Sequence, residues 1–186
     1  MNRPVLPHPD PDRLAGLDPQ ALLAALHARI EESWRLCREV HPSLPRPGVW
    51  CDLRGRSAGQ AHFGREGLRF NPVLYDENRE TFLVEVVPHE MAHWLVHHLE
   101  DCHRARPHGR EWQVVMRRLF GLVPRAAHRF DTRRASPAPY RYRCGCREHG
   151  FTARRHGLAL KGRGYRCRHC AQTLVYLGRD FHEMRM

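Results

Sequence analysis

The sequence predicts an α+β protein: helices packed on a small antiparallel sheet, followed by a short β-rich module that needs a metal to hold it together. Three observations carry that prediction. A long stretch with apolar residues at helical spacing precedes a glycine-rich stretch in which apolar and polar residues alternate. A second helical pattern then carries His89-Glu90-x-x-His93 within its apolar run. Four cysteines stand in close pairs, Cys144-x-Cys146 and Cys167-x-x-Cys170, in a C-terminal segment too poor in apolar side chains to form a core alone.

Taken in order, residues 1–17 read as a Pro-rich leader that lacks the apolar core of a signal peptide. Asp18 followed by Pro19 is an N-cap with proline at the first helical position. Leu23, Leu26, Ile30, Trp34, Cys37 and Val40 then recur on one face, which predicts a helix over 19–40, ended by Pro42, Pro45 and Pro47. Val49, Cys51 and Leu53, Ala61 and Phe63, and Leu68 and Phe70 alternate with polar residues around Gly55, Gly59, Gly64 and Gly67. These predict about three short antiparallel strands, closed by Asn71-Pro72. Residues 81–99 return to helical length, with a kink or a restart required near Pro88, which lacks an N–H and crowds the preceding turn. A charged loop over 100–110 leads to a third helix, 110–120, with Trp112, Val115, Met116 and Leu119 on one face and Gly121 as its C-cap. The main domain therefore spans 18–130, a linker 131–139, the cysteine module 140–178 and a tail 179–186.

No apolar run approaches the roughly 18–20 residues of a membrane span, because Glu85, Pro88, His89, Glu90 and His93 interrupt the most hydrophobic segment. A soluble, cytoplasmic protein with no membrane partner is expected. Reduced thiols in that compartment argue against a disulfide framework and for metal at the paired cysteines. Cys37, Cys51 and Cys102 stand alone and read as small hydrophobes. The net charge of +11 is unevenly spread: residues 1–100 carry 11 basic and 14 acidic groups, residues 101–186 carry 20 and 6. A basic second half is the footprint of a phosphate-binding surface, although 30 Arg against one Lys also reflects a compositional bias.

Histidines four apart on a helix share one face, so His89 and His93 can both reach one zinc ion at about 2.0–2.1 Å. Glu90 can then act as general base towards a water in the open coordination position, chemistry suited to hydrolysis of an amide. The plain alternative is a histidine-rich exposed helix face. Against it, unpaired imidazoles and a carboxylate are costly on an apolar helix. A third ligand must come from elsewhere. His97 lies about 12 Å along the axis from His89, too far to share the ion. Val96 and Leu99 stand where the metzincin pattern requires Gly and His. The next helix offers His108 and Glu111; His103 and Asp101 in the loop are weaker candidates, and His97 and His98 read as solvent-facing or outer groups.

The segments "GQAHF…LRFNP", "EVVPHEMAHWLVHH", "PHGREW", "YRCGC…RRH" and "GYRCRHC…LVY" resemble, in order, the SprT family of zinc metalloprotease-like proteins, relatives of the eukaryotic DNA-dependent protease Spartan. The similarity covers about residues 20–177. It implies a minigluzincin-like domain with catalytic zinc on His89, His93 and His108 and with Glu90 as base, acting on a protein or peptide substrate. In the Spartan branch, activity is directed to proteins crosslinked to DNA.

Cys167-x-x-Cys170 has zinc-knuckle spacing, in which backbone N–H groups of the turn support the sulfurs. Cys144, Cys146 and His149 compete for the two remaining positions, and a four-cysteine structural zinc site is the first choice. Around it, Arg154, Arg155, Arg163, Arg166 and Arg168 are interleaved with Tyr140, Tyr142, Phe151 and Tyr165. Arginines pair phosphates and aromatic rings stack on bases, which suits DNA, single strands in particular. These aromatics can equally form the module's own core, and a mixture of both is expected. The functional expectation is a zinc metallopeptidase acting on DNA-associated proteins. The alternative is a nucleic-acid-binding or regulatory protein with structural zinc and little or no peptidase activity.

Overall fold

The computed structural model describes residues 6–99 and 105–179. The chain divides into two compact units, Met1–Asp131 and Thr132–Met186.

In the first unit, the leader segment contains a short helix, α1 (Pro11–Ala15), capped by the Asp10 carboxylate and anchored by buried Leu14. The Arg79 guanidinium holds its end, donating to the carbonyls of Leu14, Ala15 and Leu17. The long helix α2 spans Pro19–Val40, and Asp18 caps it through the Ala21 N–H as its sequence predicts. Its buried face is rotated from the predicted one. Leu22, Leu26, Ile30, Leu36 and Cys37 are inside, whereas Leu23 and Val40 are exposed. Buried Arg29 and Ser33 share that inner face, and a hydrophobic pattern alone does not assign polar residues to a core.

Strands β1 (Gly48–Trp50), β2 (Gly59–His62) and β3 (Gly67–Phe70) form a sheet of order β1-β3-β2. β2 pairs antiparallel with β3, but β1 pairs parallel with it, so the sheet is mixed and the all-antiparallel expectation is corrected. Period-two alternation is the same for either strand direction, which is why the sequence did not reveal it. The tight turn Phe63–Arg65 forces β2 and β3 to be antiparallel, while residues 51–58 carry the chain across β3 to the other edge.

Asn71 fastens that crossing segment. Its Nδ2 donates to the carbonyls of Gly55 and Ser57, its N–H donates to that of Ala58, and its Oδ1 caps helix α3 (Pro72–Glu77). After α4 (Arg79–Thr81), residues Phe82–Val86 form one π-helical turn that runs into α5 (Val87–His98). The Val87 N–H donates to the Phe82 carbonyl, five residues back. This wider turn is how the chain accommodates Pro88 at the start of α5 without ending the helix. α5 is the centre of the unit, packed by α2, β2, β3 and α6 (Arg110–Arg118), with Met91, Ala92, Trp94 and Leu95 buried. Gly121, at φ 68°, reverses the chain beyond α6, and the Leu122 N–H donates to the Met116 carbonyl.

The second unit is a three-stranded antiparallel sheet, order β5-β4-β6, of β4 (Tyr140–Arg143), β5 (Glu148–Phe151) and β6 (Val175–Arg179). Helix α7 (Ala153–Leu160), capped by Thr152, was not anticipated, because its Arg-rich, Gly-containing sequence has no clear apolar stripe. The small core is Tyr142, Cys144, Phe151, Cys167 and Leu174. Among the described residues, no helix is long and apolar enough to cross a membrane.

Asn71 is 1% exposed and satisfies five backbone groups. Asn71→Ala should lower the unfolding free energy by about 2–3 kcal/mol, combining a lost cap with orphaned carbonyls. Urea unfolding measures it; a change below about 0.5 kcal/mol would contradict this role.

Candidate metal centres

His89 and His93 stand one turn apart on α5, and the turn leading into α6 brings His108 to them. Their Nε2 atoms form a nearly equilateral triangle: 3.2 Å from His93 to His89, 3.1 Å from His93 to His108 and 3.0 Å from His108 to His89. A point about 2.0–2.1 Å from all three lies about 1 Å out of their plane, so the three nitrogens together would hold a zinc ion. Three converging ring nitrogens are poorly satisfied by one another, since each hydrogen bond needs one donor and one acceptor. A cation satisfies all three.

The local sequence explains the convergence. Residues 106–109 form a turn closed by the Gly109 N–H on the Arg106 carbonyl at 2.8 Å, with Pro107 in its second position and His108 in its third. That third position needs positive φ, and His108 adopts 57° at a cost of roughly 1 kcal/mol. Gln113 Nε2 holds the His108 carbonyl at 3.1 Å. Beneath the triangle lies Trp112, 1% exposed, with ring centroids 4.7 Å from His89, 5.5 Å from His93 and 4.7 Å from His108. Its Nε1 donates to the His89 carbonyl. The sequence placed Trp112 on an apolar helix face; its contact with all three imidazoles is visible only in three dimensions.

Burial, then the neighbouring His93 and His108, push the His89 pKa down to about 3, while the Arg125 carbonyl accepts a hydrogen bond from His89 and works the other way. Burial and then His108 bring His93 down to about 4, and burial lowers His108. All three are thus neutral at pH 7, the state that binds metal. Glu90 is enclosed; its Oε2 accepts the Ala61 N–H at 2.9 Å. Burial raises its pKa to about 8 against the opposing effect of that hydrogen bond. A side chain at Gly59 would place its Cβ 2.6 Å from Glu90 Cγ, so this strand position must lack one. His89, Glu90, His93 and His108 all line a cavity of about 700 Å³.

The other candidates are elsewhere. Glu111 is exposed on α6 and outside the triangle. His97 stacks on Phe63 at 3.8 Å, and His98 Nδ1 lies 2.8 Å from the Trp94 carbonyl. Asp101, Cys102 and His103 fall outside the described residues.

In the second unit, Cys144, Cys146, Cys167 and Cys170 bring four sulfurs within 4.8 Å of one another, a second donor set suited to a metal. His149 is outside that group; its Nε2 lies 3.3 Å from Cys144 Sγ, as a hydrogen-bond partner of the sulfur. The backbone N–H groups of Cys170 and His169 lower the Cys167 thiol pKa. Arg154, Arg155, Arg163, Arg166 and Arg168 are all exposed. Of the interleaved aromatics, Tyr142 and Phe151 are buried, and Tyr165 carries Arg155 and Arg163 at 4.7 and 5.6 Å from its ring.

Residues 30–130 match the SprT-like family model. The chain is 47% identical over 157 residues to Protein SprT of Pseudomonas paraeruginosa strain PA7, covering 82% of this chain and 94% of the relative. It is 46% identical over 162 residues to Protein SprT of Pseudomonas aeruginosa strain LESB58, covering 85% and 98%. Protein SprT of Pseudomonas fluorescens strain Pf-5 is 46% identical over 156 residues, covering 82% and 94%. No solved structure matches the chain significantly.

The depressed pKa values of His89 and His93 set a pH dependence. Between about pH 6.5 and 3 the unfolded chain binds protons that these folded histidines refuse, His93 down to about 4 and His89 to about 3, so their contribution is full above that window and falls as pH drops through it. Between pH 7 and 5 the two histidines should remove about 3 kcal/mol from the stability of metal-free protein, and Glu90, whose raised pKa makes it costly to fold at neutral pH, returns part of that over the same range. The pH slope of a His89→Ala/His93→Ala variant should differ from that of the parent by the histidine contribution; identical slopes for the two proteins in urea unfolding would contradict the assignment.

Proposed function

The chain belongs to the SprT-like family, and from that premise we propose that it is a zinc-dependent metallopeptidase with His89, His93 and His108 as ligands and Glu90 as general base. The observation that carries this reading is the histidine triangle sharing a cavity with an enclosed carboxylate. A purely structural site has no need of that carboxylate. Zinc held there supplies a Lewis acid that polarises the scissile carbonyl and acidifies a water.

The protein's own groups do the rest. The Ala61 N–H fixes Glu90 Oε2, which leaves Oε1 to take the proton of the attacking water and pass it to the departing amine. Burial raises the carboxyl towards neutrality, the Ala61 N–H opposes that rise, and zinc on the three histidines would oppose it further, so the group can both accept and release a proton. β2 is an edge strand whose Gly59, Gln60 and Ala61 line the cavity. An extended peptide can pair with such an edge, which favours a peptide over another amide.

We extend the reading to DNA-associated protein targets. The basic second half exposes Arg154, Arg155, Arg163, Arg166 and Arg168, groups suited to pairing phosphates. Support for a single-strand preference is narrower, because Tyr142 and Phe151 are packed inside and Tyr165 is covered by arginines. Tyr176, 42% exposed on β6, is the aromatic best available to a base.

Purified protein should contain two zinc ions per chain, His108→Ala one, and Cys167→Ser one, by metal analysis. Glu90→Gln should keep both ions and lose cleavage of an unfolded DNA-binding substrate by about 10²–10⁴-fold. Cleavage by Glu90→Gln equal to that of the parent protein would overturn the mechanism. Acceleration by DNA that disappears on combined substitution of the five arginines would support the targeting; acceleration unchanged by those substitutions would contradict it.

A further inference from the structure

The cavity that holds the histidine triangle is not uniform in charge. Its lining residues include two arginines, Arg56 and Arg125, and the half-buried Glu85. Arg125 Nη1 lies 3.2 Å from Glu85 Oε1, so these two neutralise each other. Among the described residues, the Arg56 side chain has no such partner, and it remains as the cation of the cavity rim that a ligand can engage.

The backbone that carries Arg56 is held unusually firmly for an exposed connection. Four successive carbonyls are each occupied. Asn71 takes those of Gly55, Ser57 and Ala58 at 3.0, 3.2 and 2.9 Å. His128 Nε2 takes that of Arg56 itself at 2.9 Å. Because a carbonyl only accepts, this Nε2 carries the proton, and His128 Nδ1 is free to accept the Phe130 N–H at 3.2 Å. The His128 ring also lies against Phe130, 4.6 Å between centroids. Both ring nitrogens of His128 are therefore spent on anchoring the rim, although the residue lines the cavity. The rim position is built, and what it presents is a positive charge.

Residues 56–61 run along the cavity from this clamp to Ala61, which binds Glu90, so a peptide paired with β2 passes Arg56 within a few residues of the reacting bond. We propose that Arg56 is a specificity-determining residue that selects peptides bearing an Asp or Glu side chain near the scissile bond. This inference rests on the metallopeptidase reading. Its contribution is to substrate binding, made equally in the ground and transition states, so it acts on KM more than on kcat. Arg125 cannot replace it without giving up Glu85.

The test uses full-length zinc-loaded protein and peptides identical except for Glu, Gln or Lys at one position, scanned on both sides of the cleaved bond. At one position, Glu should be preferred by about tenfold in kcat/KM, chiefly through KM. The preference should shrink at high salt, fall to near parity in Arg56→Gln, be kept in part by Arg56→Lys, and turn to favour Lys in Arg56→Glu. Equal cleavage of Glu and Gln peptides at every position, or a preference unchanged in Arg56→Gln, overturns the proposal. Peptide binding to zinc-loaded Glu90→Gln, followed by fluorescence anisotropy, separates the two levels. If nothing is cleaved but the Glu peptide binds more tightly in an Arg56-dependent way, Arg56 is an acidic-peptide binding residue and the peptidase reading, with the selection of a scissile bond, fails. If all peptides bind alike, or if Arg56→Gln weakens only the binding of a short oligonucleotide, the inference is wrong and, in the latter case, the rim is a phosphate contact.

Discussion

Three neutral imidazole nitrogens within 3.2 Å of one another are the constraint on which the first unit depends. Burial keeps them unprotonated, and their lone pairs converge on one point. Such an arrangement is unfavourable unless a cation fills it, so the surrounding structure must hold it open. α5 supplies two nitrogens at a spacing any helix gives. The third requires a turn with His108 in a left-handed conformation, a strained choice maintained by the Gln113 and Trp112 contacts around it.

The same logic extends outward. Glu90 faces the sheet and not solvent, which is possible because Gly59 leaves room and Ala61 offers its N–H. β2 must then sit at the sheet edge and close to α5, and Asn71 fixes the chain that brings it there. The π turn before Pro88 belongs to this arrangement as well, since it is the irregularity immediately upstream of His89 and Glu90. The second unit solves a different problem: with five residues in its core, two of them cysteines, it depends on its four sulfurs for cohesion.

Much of this was legible in the sequence wherever a residue's local chemistry has one geometric meaning. Asp18-Pro19 starts a helix, and the structure begins α2 at Pro19. The His89/His93 spacing puts both rings on one face, and Cys167-x-x-Cys170 turns two sulfurs together. What was not legible depends on partners distant in sequence. The parallel pairing of β1 leaves no trace in alternation. Spacing alone left both His108 and Glu111 open and the family resemblance pointed to His108; the structure gives the physical reason, a positive φ at His108 that accompanies its approach to α5 while Glu111 stays exposed. Trp112 read as part of an apolar face and Asn71 as the close of the sheet, whereas each acts on groups across the unit. Pro88 announced an irregularity, but whether a kink, a break or a π turn resulted depends on the packing around it.

X-ray absorption at the zinc edge, on protein in which Cys144, Cys146, Cys167 and Cys170 are replaced by serine, tests the central claim most directly. The account predicts one zinc per chain bound by three imidazole nitrogens and one light oxygen donor at about 2.0–2.1 Å. Fewer than three imidazoles, or no stoichiometric zinc in a variant whose first unit is still folded, would contradict it.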